Sequence, residues 1–148
     1  MSQIRLTKEF TFEMAHVLSG YDGPCANIHG HSYKLAVTVI GSPVNDVANP
    51  KLGMVMDFSD LKRIVKSKVI ERFDHILLLR KGTDLSKLAE SGHLTKTELV
   101  DYQPTCENFL LHIAQIISAE LPDMLKLHHL KLHETQTSYA EWYASDNA

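Results

Sequence analysis

The sequence predicts an α+β domain in which two helices pack on one face of a four-stranded antiparallel sheet. Two stretches of alternating apolar and polar residues open the chain, two amphipathic helical stretches follow, and two strand-like stretches close it, in the order ββααββ. With 148 residues, of which 44% are hydrophobic, the chain is long enough to bury one substantial core. We therefore expect one domain over residues 1–148.

The predicted strands follow from a period of two. In residues 4–16 the even positions are mostly apolar and the odd positions are polar, and residues 33–39 repeat the pattern after a turn-rich stretch. In residues 125–132 the leucines move from odd to even positions near residues 128–129, which predicts a β-bulge in the third strand. Residues 137–143 are predicted to form the fourth strand.

The predicted helices have polar caps and apolar stripes at helical spacing. Asp57 is a suitable N-cap for a first helix that runs to about Arg72, and Thr105 for a second helix that ends before Pro122. Between them, residues 81–103 show no sustained period and are predicted to form an irregular loop.

The composition argues against two classes of partner. The formal net charge is −3 and charged residues make up 22%, so the chain lacks the basic surplus of nucleic-acid binders. No stretch approaches the roughly 20 apolar residues that span a bilayer, and no apolar run follows a basic start. We therefore expect a cytoplasmic protein with no nucleic-acid or membrane partner, in which Cys25 and Cys106 are free thiols.

Three histidines are the first candidate for a metal site. His29 and His31 are separated by one residue, so in an extended segment both side chains project to one side, with Cα atoms about 7 Å apart. His16 ends the apolar face of the first predicted strand and reaches the same place if the two strands pair antiparallel. Three imidazoles with a fourth position open are typical of catalytic zinc. His-x-His alone is a weak signal among nine histidines, most of which are expected at the surface or in the core.

Cys25 and the pair Asp74–His75 are further chemical candidates. Cys25 precedes His29 by four residues in a loop rich in glycine and proline, so it can act either as a fourth zinc ligand or as a base whose thiolate the cation favours. Asp74 and His75 directly follow the first predicted helix. A carboxylate beside an imidazole can hold one tautomer, although adjacent side chains need not touch.

Two glutamates are candidates for binding a flat, nitrogen-rich ligand. Glu134 ends an apolar strand, where a half-buried carboxylate can accept two parallel hydrogen bonds from an edge such as that of an aminopyrimidinone. Glu107 lies in the first turn of the second helix. The helix dipole favours an acidic residue there in any case.

Short motifs along the chain resemble one family. They are FEMAH at 12–16, CANIHGHSY at 25–33, GMVMDF at 53–58, FDH at 73–75, PTCEN at 104–108 and ET at 134–135. In this order they resemble the 6-pyruvoyl-tetrahydropterin synthase family, which includes 6-carboxytetrahydropterin synthases. Each motif is short, but together they are specific and span nearly the whole chain.

The resemblance implies a zinc enzyme with the tunnelling fold, in which the sheets of neighbouring subunits join into a barrel. Its active sites would lie between subunits of a homohexamer built from two trimers. The residues implied are the zinc ligands His16, His29 and His31, the catalytic residues Cys25, Asp74 and His75, and the pterin-binding residues Thr105, Glu107 and Glu134. Within these sets Cys25 is the general base and Glu134 is the pterin anchor.

The spacing before the paired histidines resembles one branch of the family. Animal-type pyruvoyl synthases resemble Cys followed by five residues and His-Gly-His, whereas carboxy synthases have three, as this chain has at residues 26–28. The closing ETQTS at 134–138 also resembles the carboxy branch. The implied reaction converts 7,8-dihydroneopterin triphosphate to 6-carboxy-5,6,7,8-tetrahydropterin with loss of triphosphate and acetaldehyde, in 7-deazaguanine (queuosine) biosynthesis.

Other functions stay open. One is a 6-pyruvoyl-tetrahydropterin synthase or an aldolase-type cleavage of dihydroneopterin phosphates, and the other is a non-catalytic, zinc-stabilised pterin-binding module with Cys25 as fourth ligand. The chain departs from the family at Cys106, where Thr or another small residue is usual, and in the longer segment 81–103. The candidates for binding the triphosphate, which the sequence does not distinguish, are Lys34, Lys51, Arg80 and Lys81.

Overall fold

The computed structural model describes residues 2–21 and 27–148, and within them one six-stranded sheet carries the helices. The strands are β1 (Ile4–His16), β2 (His29–Gly41), β3 (Ile76–Arg80), β4 (Thr97–Val100), β5 (Lys126–His133) and β6 (Tyr139–Tyr143). The helices are α1 (Phe58–Val65), α2 (Glu71–Phe73), α3 (Ser86–Glu90) and α4 (Cys106–Glu120), with a π-helical segment at Lys66–Ile70 and a 3₁₀ turn at Ala144–Asn147. The strand order across the sheet is β4-β3-β1-β2-β5-β6.

The long antiparallel pair β1 and β2 forms the centre of the sheet. Its register runs from Ile4 opposite Gly41 to His16 opposite His29, which confirms the predicted pairing of the first two strands. Because side chains alternate along a strand, one face of β1 lies in the core and the other does not. The buried residues of β1 are Phe10, Phe12, Met14 and His16.

The predicted count of four strands is wrong, because the described residues form six. β3 pairs parallel with β1 over residues 14–16, and β4 pairs parallel with β3, so the sheet is mixed. In β3 the apolar residues 76–79 are all buried and do not alternate, which is typical of a strand covered on both faces. β4 and α3 lie within residues 81–103, where a loop was expected. A four-residue strand made by pairing with β3 leaves no periodic pattern of its own.

The helical segment 58–73 consists of α1, the π-helical segment and α2. Its N-cap is Asp57, as predicted, whose carboxylate accepts a hydrogen bond from the backbone N–H of Ser59 at 2.8 Å. Its fully buried residues are four apart, namely Leu61, Val65, Val69 and Phe73. In an α-helix this stripe would rotate by about 40° at each step. The wider π-helical turn counteracts that rotation, so all four side chains stay in the core.

Helix α4 packs in the same core as the segment 58–73. Thr105 caps it by accepting a hydrogen bond from the backbone N–H of Asn108 at 3.1 Å. The ring of Phe109 lies within 6.1 Å of rings from β1, β2 and α2. The predicted packing of two main helices on one face of the sheet is therefore confirmed. None of the described helices has the length and apolarity that crossing a bilayer needs.

Strands β5 and β6 extend the sheet on the β2 side. The register between β2 and β5 shifts between Thr38 and Val39, which leaves His128 without a partner in β2 and confirms the predicted bulge. β6 pairs antiparallel with β5. Since β5 ends at His133, Glu134 leaves the sheet near the start of β2.

Candidate functional site

Three imidazoles converge where β1 ends and β2 begins. His16 pairs with His29, and His31 lies two residues further along the same face of β2. The ligand nitrogens of the three rings lie within 4.8 Å of one another. His16 is 2% exposed, and the other two histidines are half-buried. The arrangement is a possible metal-binding site.

Hydrogen bonds to backbone carbonyls determine which ring nitrogen of His16 and of His29 carries the proton. Nδ1 of His16 lies 2.7 Å from the carbonyl oxygen of Pro104, and Nδ1 of His29 lies 2.7 Å from that of Asn27. A carbonyl oxygen can only accept a hydrogen bond, so Nδ1 of each ring carries a proton and donates it. When the ring is neutral, its Nε2 then has a free lone pair. The two Nε2 atoms lie 2.8 Å apart. Two lone pairs at this distance repel each other unless a cation or a proton lies between them.

His31 completes the donor set. Its Nε2 is buried and has no hydrogen-bond partner among the described residues, and Oε1 of Glu134 lies 3.5 Å away. Burial lowers the pKa of His16 and of His31, which favours the neutral rings. Three neutral imidazole nitrogens are ligands that suit zinc. The residues present therefore fit the metal that the resemblance implies.

Asp74 and His75 form a hydrogen-bonded pair that is attached to β1. Oδ1 of Asp74 accepts the backbone N–H of Glu13 at 2.9 Å and lies 2.9 Å from Nδ1 of His75. The backbone N–H of His75 donates to the carbonyl of Glu13 at 2.5 Å, with His75 in the left-handed region at φ 60°. The N–H of Glu13, and then His75 and Lys96, lower the pKa of Asp74. The ionised carboxylate accepts from Nδ1–H of His75, so Nε2 is free on an exposed side chain.

One cavity lies beside this pair. It measures about 390 Å³, and its lining includes His75 and residues of β1 and β2. The carboxylate of Glu13 also lines it and is held by a hydrogen bond from the hydroxyl of Ser32, at 2.6 Å. The oriented imidazole of His75 and the carboxylate of Glu13 thus border the same space, whereas the imidazole of His31 lies with Met14 on the other face of the sheet.

A second pocket, of about 250 Å³, lies at the start of α4. Its lining residues are Cys106, Glu107, Glu134, Ser138, Tyr139 and Ala140. The predicted pterin-binding residue Thr105 is not among them; its hydroxyl caps α4. Burial, with the charges of Glu134 and Glu107, raises the pKa of the Cys106 thiol to about 12. Since Glu134 also approaches His31, it lies between this pocket and the three histidines.

Sequence reasoning missed some of the groups that orient the site. The carbonyls of Asn27 and Pro104 act through the backbone, so residue type gives no signal of their role. Glu13 stands at an odd, polar position of β1, where a solvent-exposed side chain is the ordinary expectation. Cys25, expected to be a base or a zinc ligand, lies outside the described residues.

Comparison with known proteins decides the family. The family model described as 6-pyruvoyl tetrahydropterin synthase matches residues 5–145. The chain belongs to this family. A relative in it, the 6-carboxy-5,6,7,8-tetrahydropterin synthase of Haemophilus influenzae, is 35% identical over 142 residues, which cover 93% of this chain and 97% of the relative. The 6-pyruvoyl tetrahydrobiopterin synthase of Dictyostelium discoideum is 31% identical over 117 residues, which cover 79% of this chain and 71% of that protein.

Solved structures of the 6-pyruvoyl tetrahydropterin synthase family share the fold. The enzyme of that name from Caenorhabditis elegans superposes with a TM-score of 0.67 at 23% identity, covering 97% of each chain. The one from Plasmodium vivax gives 0.71 at 18% identity, covering 96% of this chain and 98% of that chain. The expected tunnelling fold is therefore confirmed.

Removing one imidazole tests whether the three histidines bind a metal ion together. We expect His29→Ala to lower the affinity for a divalent ion by more than about 100-fold, since one of three protein ligands is lost. The measurement is metal content by mass spectrometry after dialysis against a weak chelator. His93→Ala is the control, because His93 is an exposed residue outside the cluster. Equal metal content in wild type and His29→Ala would contradict the site.

Proposed function

We propose that the chain is a zinc-dependent lyase that converts 7,8-dihydroneopterin triphosphate and one water molecule to 6-carboxy-5,6,7,8-tetrahydropterin, triphosphate and acetaldehyde, in 7-deazaguanine (queuosine) biosynthesis. The relatives named 6-carboxy-5,6,7,8-tetrahydropterin synthase, matched over 93% of the chain, support this reaction. The observation that carries the proposal is the convergence of three imidazole rings beside a pocket with two carboxylates, one of which lies 3.5 Å from His31.

His16, His29 and His31 would hold the zinc ion. When bound, zinc supplies Lewis-acid polarisation of oxygen atoms that coordinate it. The hydrogen bonds from Nδ1 of His16 and of His29 to carbonyls support this role, because they keep each Nε2 available as a ligand.

Glu134 and Glu107 would hold the pterin ring. The amino and ring N–H groups of an aminopyrimidinone form a flat donor edge, and a carboxylate can accept two parallel hydrogen bonds from such an edge. Both glutamates line the pocket at the start of α4. Thr105 would contribute by capping α4, which fixes Glu107 in its first turn. The ring would thus lie beside the histidines, with its side chain directed toward them.

His75 and Cys25 would move the protons. Asp74 holds the Nδ1–H tautomer of His75, so Nε2 can give or take a proton at the cavity. Cys25 would take a proton from a carbon atom of the substrate side chain, as the general base. Positioned acids and bases of this kind each contribute typically about 10² to 10⁴ in rate.

The assembly and the location follow the family resemblance. We propose a homohexamer built from two trimers, with active sites between subunits, in the cytoplasm. Analytical ultracentrifugation of the purified chain measures the oligomer directly.

Product analysis tests the proposed reaction. Incubation of the zinc-loaded protein with 7,8-dihydroneopterin triphosphate is expected to release 6-carboxytetrahydropterin, triphosphate and acetaldehyde in equal amounts, measured by mass spectrometry and an aldehyde-trapping reagent. 6-Pyruvoyl-tetrahydropterin without acetaldehyde would instead support the second candidate, which the similarity to the Dictyostelium discoideum protein favours. Absence of any pterin product would contradict both.

The two cysteines make a matched test of the general base. Cys25→Ala is expected to lower kcat by about 10² to 10⁴, because one positioned base is lost, while zinc and pterin still bind. Cys106→Ala is expected to retain kcat, since a thiol with a pKa of about 12 is protonated at neutral pH. Single-turnover kinetics with both variants give the comparison. Normal turnover by Cys25→Ala would remove Cys25 from the mechanism.

Glu134→Gln tests the pterin anchor. Loss of a charge-assisted hydrogen bond is expected to weaken the binding of dihydroneopterin by about 10- to 100-fold. Ligand fluorescence measures the dissociation constant. Glu141→Gln is the control, because Glu141 pairs with His129 and does not line the pocket at the start of α4. An unchanged dissociation constant in Glu134→Gln would count against anchoring by this carboxylate.

A further inference from the structure

Lys96 places an ammonium group against the Asp74–His75 pair. Its Nζ donates to the carbonyl oxygen of Asp74 at 3.0 Å. Its own carbonyl accepts the N–H of Leu77 at 3.1 Å, beside the first pair between β3 and β4, so its backbone is fixed there. We propose that Lys96 binds a phosphate group of the substrate. The inference rests on the proposed function, because the triphosphate belongs to the substrate named there.

The ammonium of Lys96 has hydrogen-bonding capacity left. A lysine ammonium has three N–H donors, and the carbonyl of Asp74 takes one of them. Within the described residues Lys96 is exposed and is in none of the ion pairs. Lysine binds phosphate as a compact point charge. Two N–H donors and a positive charge that is in no ion pair are therefore available to an anion.

Ion pairs separate Lys96 from three of the four candidate phosphate ligands expected from the sequence. Three of the four lysine and arginine residues expected from the sequence already form ion pairs with carboxylates. These pairs are Lys34 with Glu9 at 2.8 Å, Lys51 with Asp57 at 2.7 Å and Lys81 with Asp101 at 2.9 Å. The fourth, Arg80, is likewise in no ion pair among the described residues, but it ends β3 five residues beyond His75, whereas Lys96 contacts Asp74 directly. Lys96 can therefore bind a phosphate without breaking an ion pair.

A short series of contacts connects Lys96 to the proposed proton carrier His75. His75 pairs with Asp74, whose carbonyl oxygen accepts the hydrogen bond from Lys96. A substrate whose side chain reaches His75 therefore brings its phosphates near Lys96. The carboxylates of Glu13 and Asp74 repel a polyanion there, and the charge of Lys96 offsets part of that repulsion.

A purely structural role for Lys96 predicts a different outcome. The helical segment 58–73 ends next to Asp74, and a cation that bonds a carbonyl at a helix C-terminus stabilises the helix. Loss of that role lowers the thermal midpoint and leaves phosphate affinity unchanged. A ligand that carries the phosphates without the pterin therefore separates the two roles.

The test compares Lys96→Met and Lys96→Arg with Lys87→Met, an exposed lysine on α3 in the same segment. Each zinc-loaded full-length protein is titrated with inorganic tripolyphosphate by calorimetry. We expect Lys96→Met to raise the Kd by about 10- to 100-fold, since a charged hydrogen bond is lost. Lys96→Arg keeps the charge and is expected within about 3-fold of wild type. Lys87→Met is expected to match wild type.

Enzyme kinetics add a measurement that a structural role would not change. With 7,8-dihydroneopterin triphosphate as substrate, Lys96→Met is expected to lower kcat/KM by raising KM. The pH profile of kcat is expected to match that of the wild type. Unchanged tripolyphosphate affinity in Lys96→Met, or no binding by the wild type, overturns the inference, as does a shifted pH profile at unchanged affinity. Turnover by the wild type tests the proposed function separately, because tripolyphosphate binding does not require turnover.

Discussion

The antiparallel register between β1 and β2 is the constraint on which the candidate site depends. It places His16 directly opposite His29, and a slip of one residue would turn one strand's side chains to the opposite face. The register is held close to the histidines by an aromatic pair. Phe12 lies opposite Tyr33, and their rings stack with centroids 5.2 Å apart. Burial of these rings therefore also determines where the three imidazoles meet.

The other edge of β1 attaches the second half of the site. Glu13 pairs with β2 on one side, while on the other side its backbone N–H and carbonyl bond Asp74 and His75. The parallel pairing with β3 begins one residue later. Only four residues of β1 thus connect the oriented imidazole to the histidine cluster. Sites held by strands in this way keep their geometry more accurately than sites held by loops.

The sequence predicted those parts of the fold that leave a periodic pattern. Alternation identified β1, β2 and β5 because one face of each is buried, and caps identified the starts of the two main helices. The side chains of β6 that pack against the core are only partly buried. β3 has no alternation because residues 76–79 are all buried, and β4 exists only through its pairing with β3.

The candidate site shows the same division between local and long-range information. His16, His29 and His31 could be grouped from spacing and an assumed strand pairing. The pairing of Asp74 with His75 could not be decided locally, because it depends on a backbone N–H of Glu13, sixty-one residues earlier. The tautomers of His16 and His29 depend on carbonyls, which every residue type carries. Motif resemblance supplied roles for Cys25 and Glu134 that spacing alone left open.

Regular elements and connecting segments contribute differently to this site. The three histidines and the Asp74–His75 pair lie on strands or directly at their ends, so the fold fixes them relative to one another. Lys96 lies between α3 and β4, and Cys25, outside the described residues, stands four positions before His29 in the sequence. Since His29 is fixed by its register with His16, the residues between Cys25 and His29 limit their Cα separation to about 14 Å. A change in the length of that connection therefore changes which substrate atoms the proposed base Cys25 can reach, while the three imidazoles stay in place.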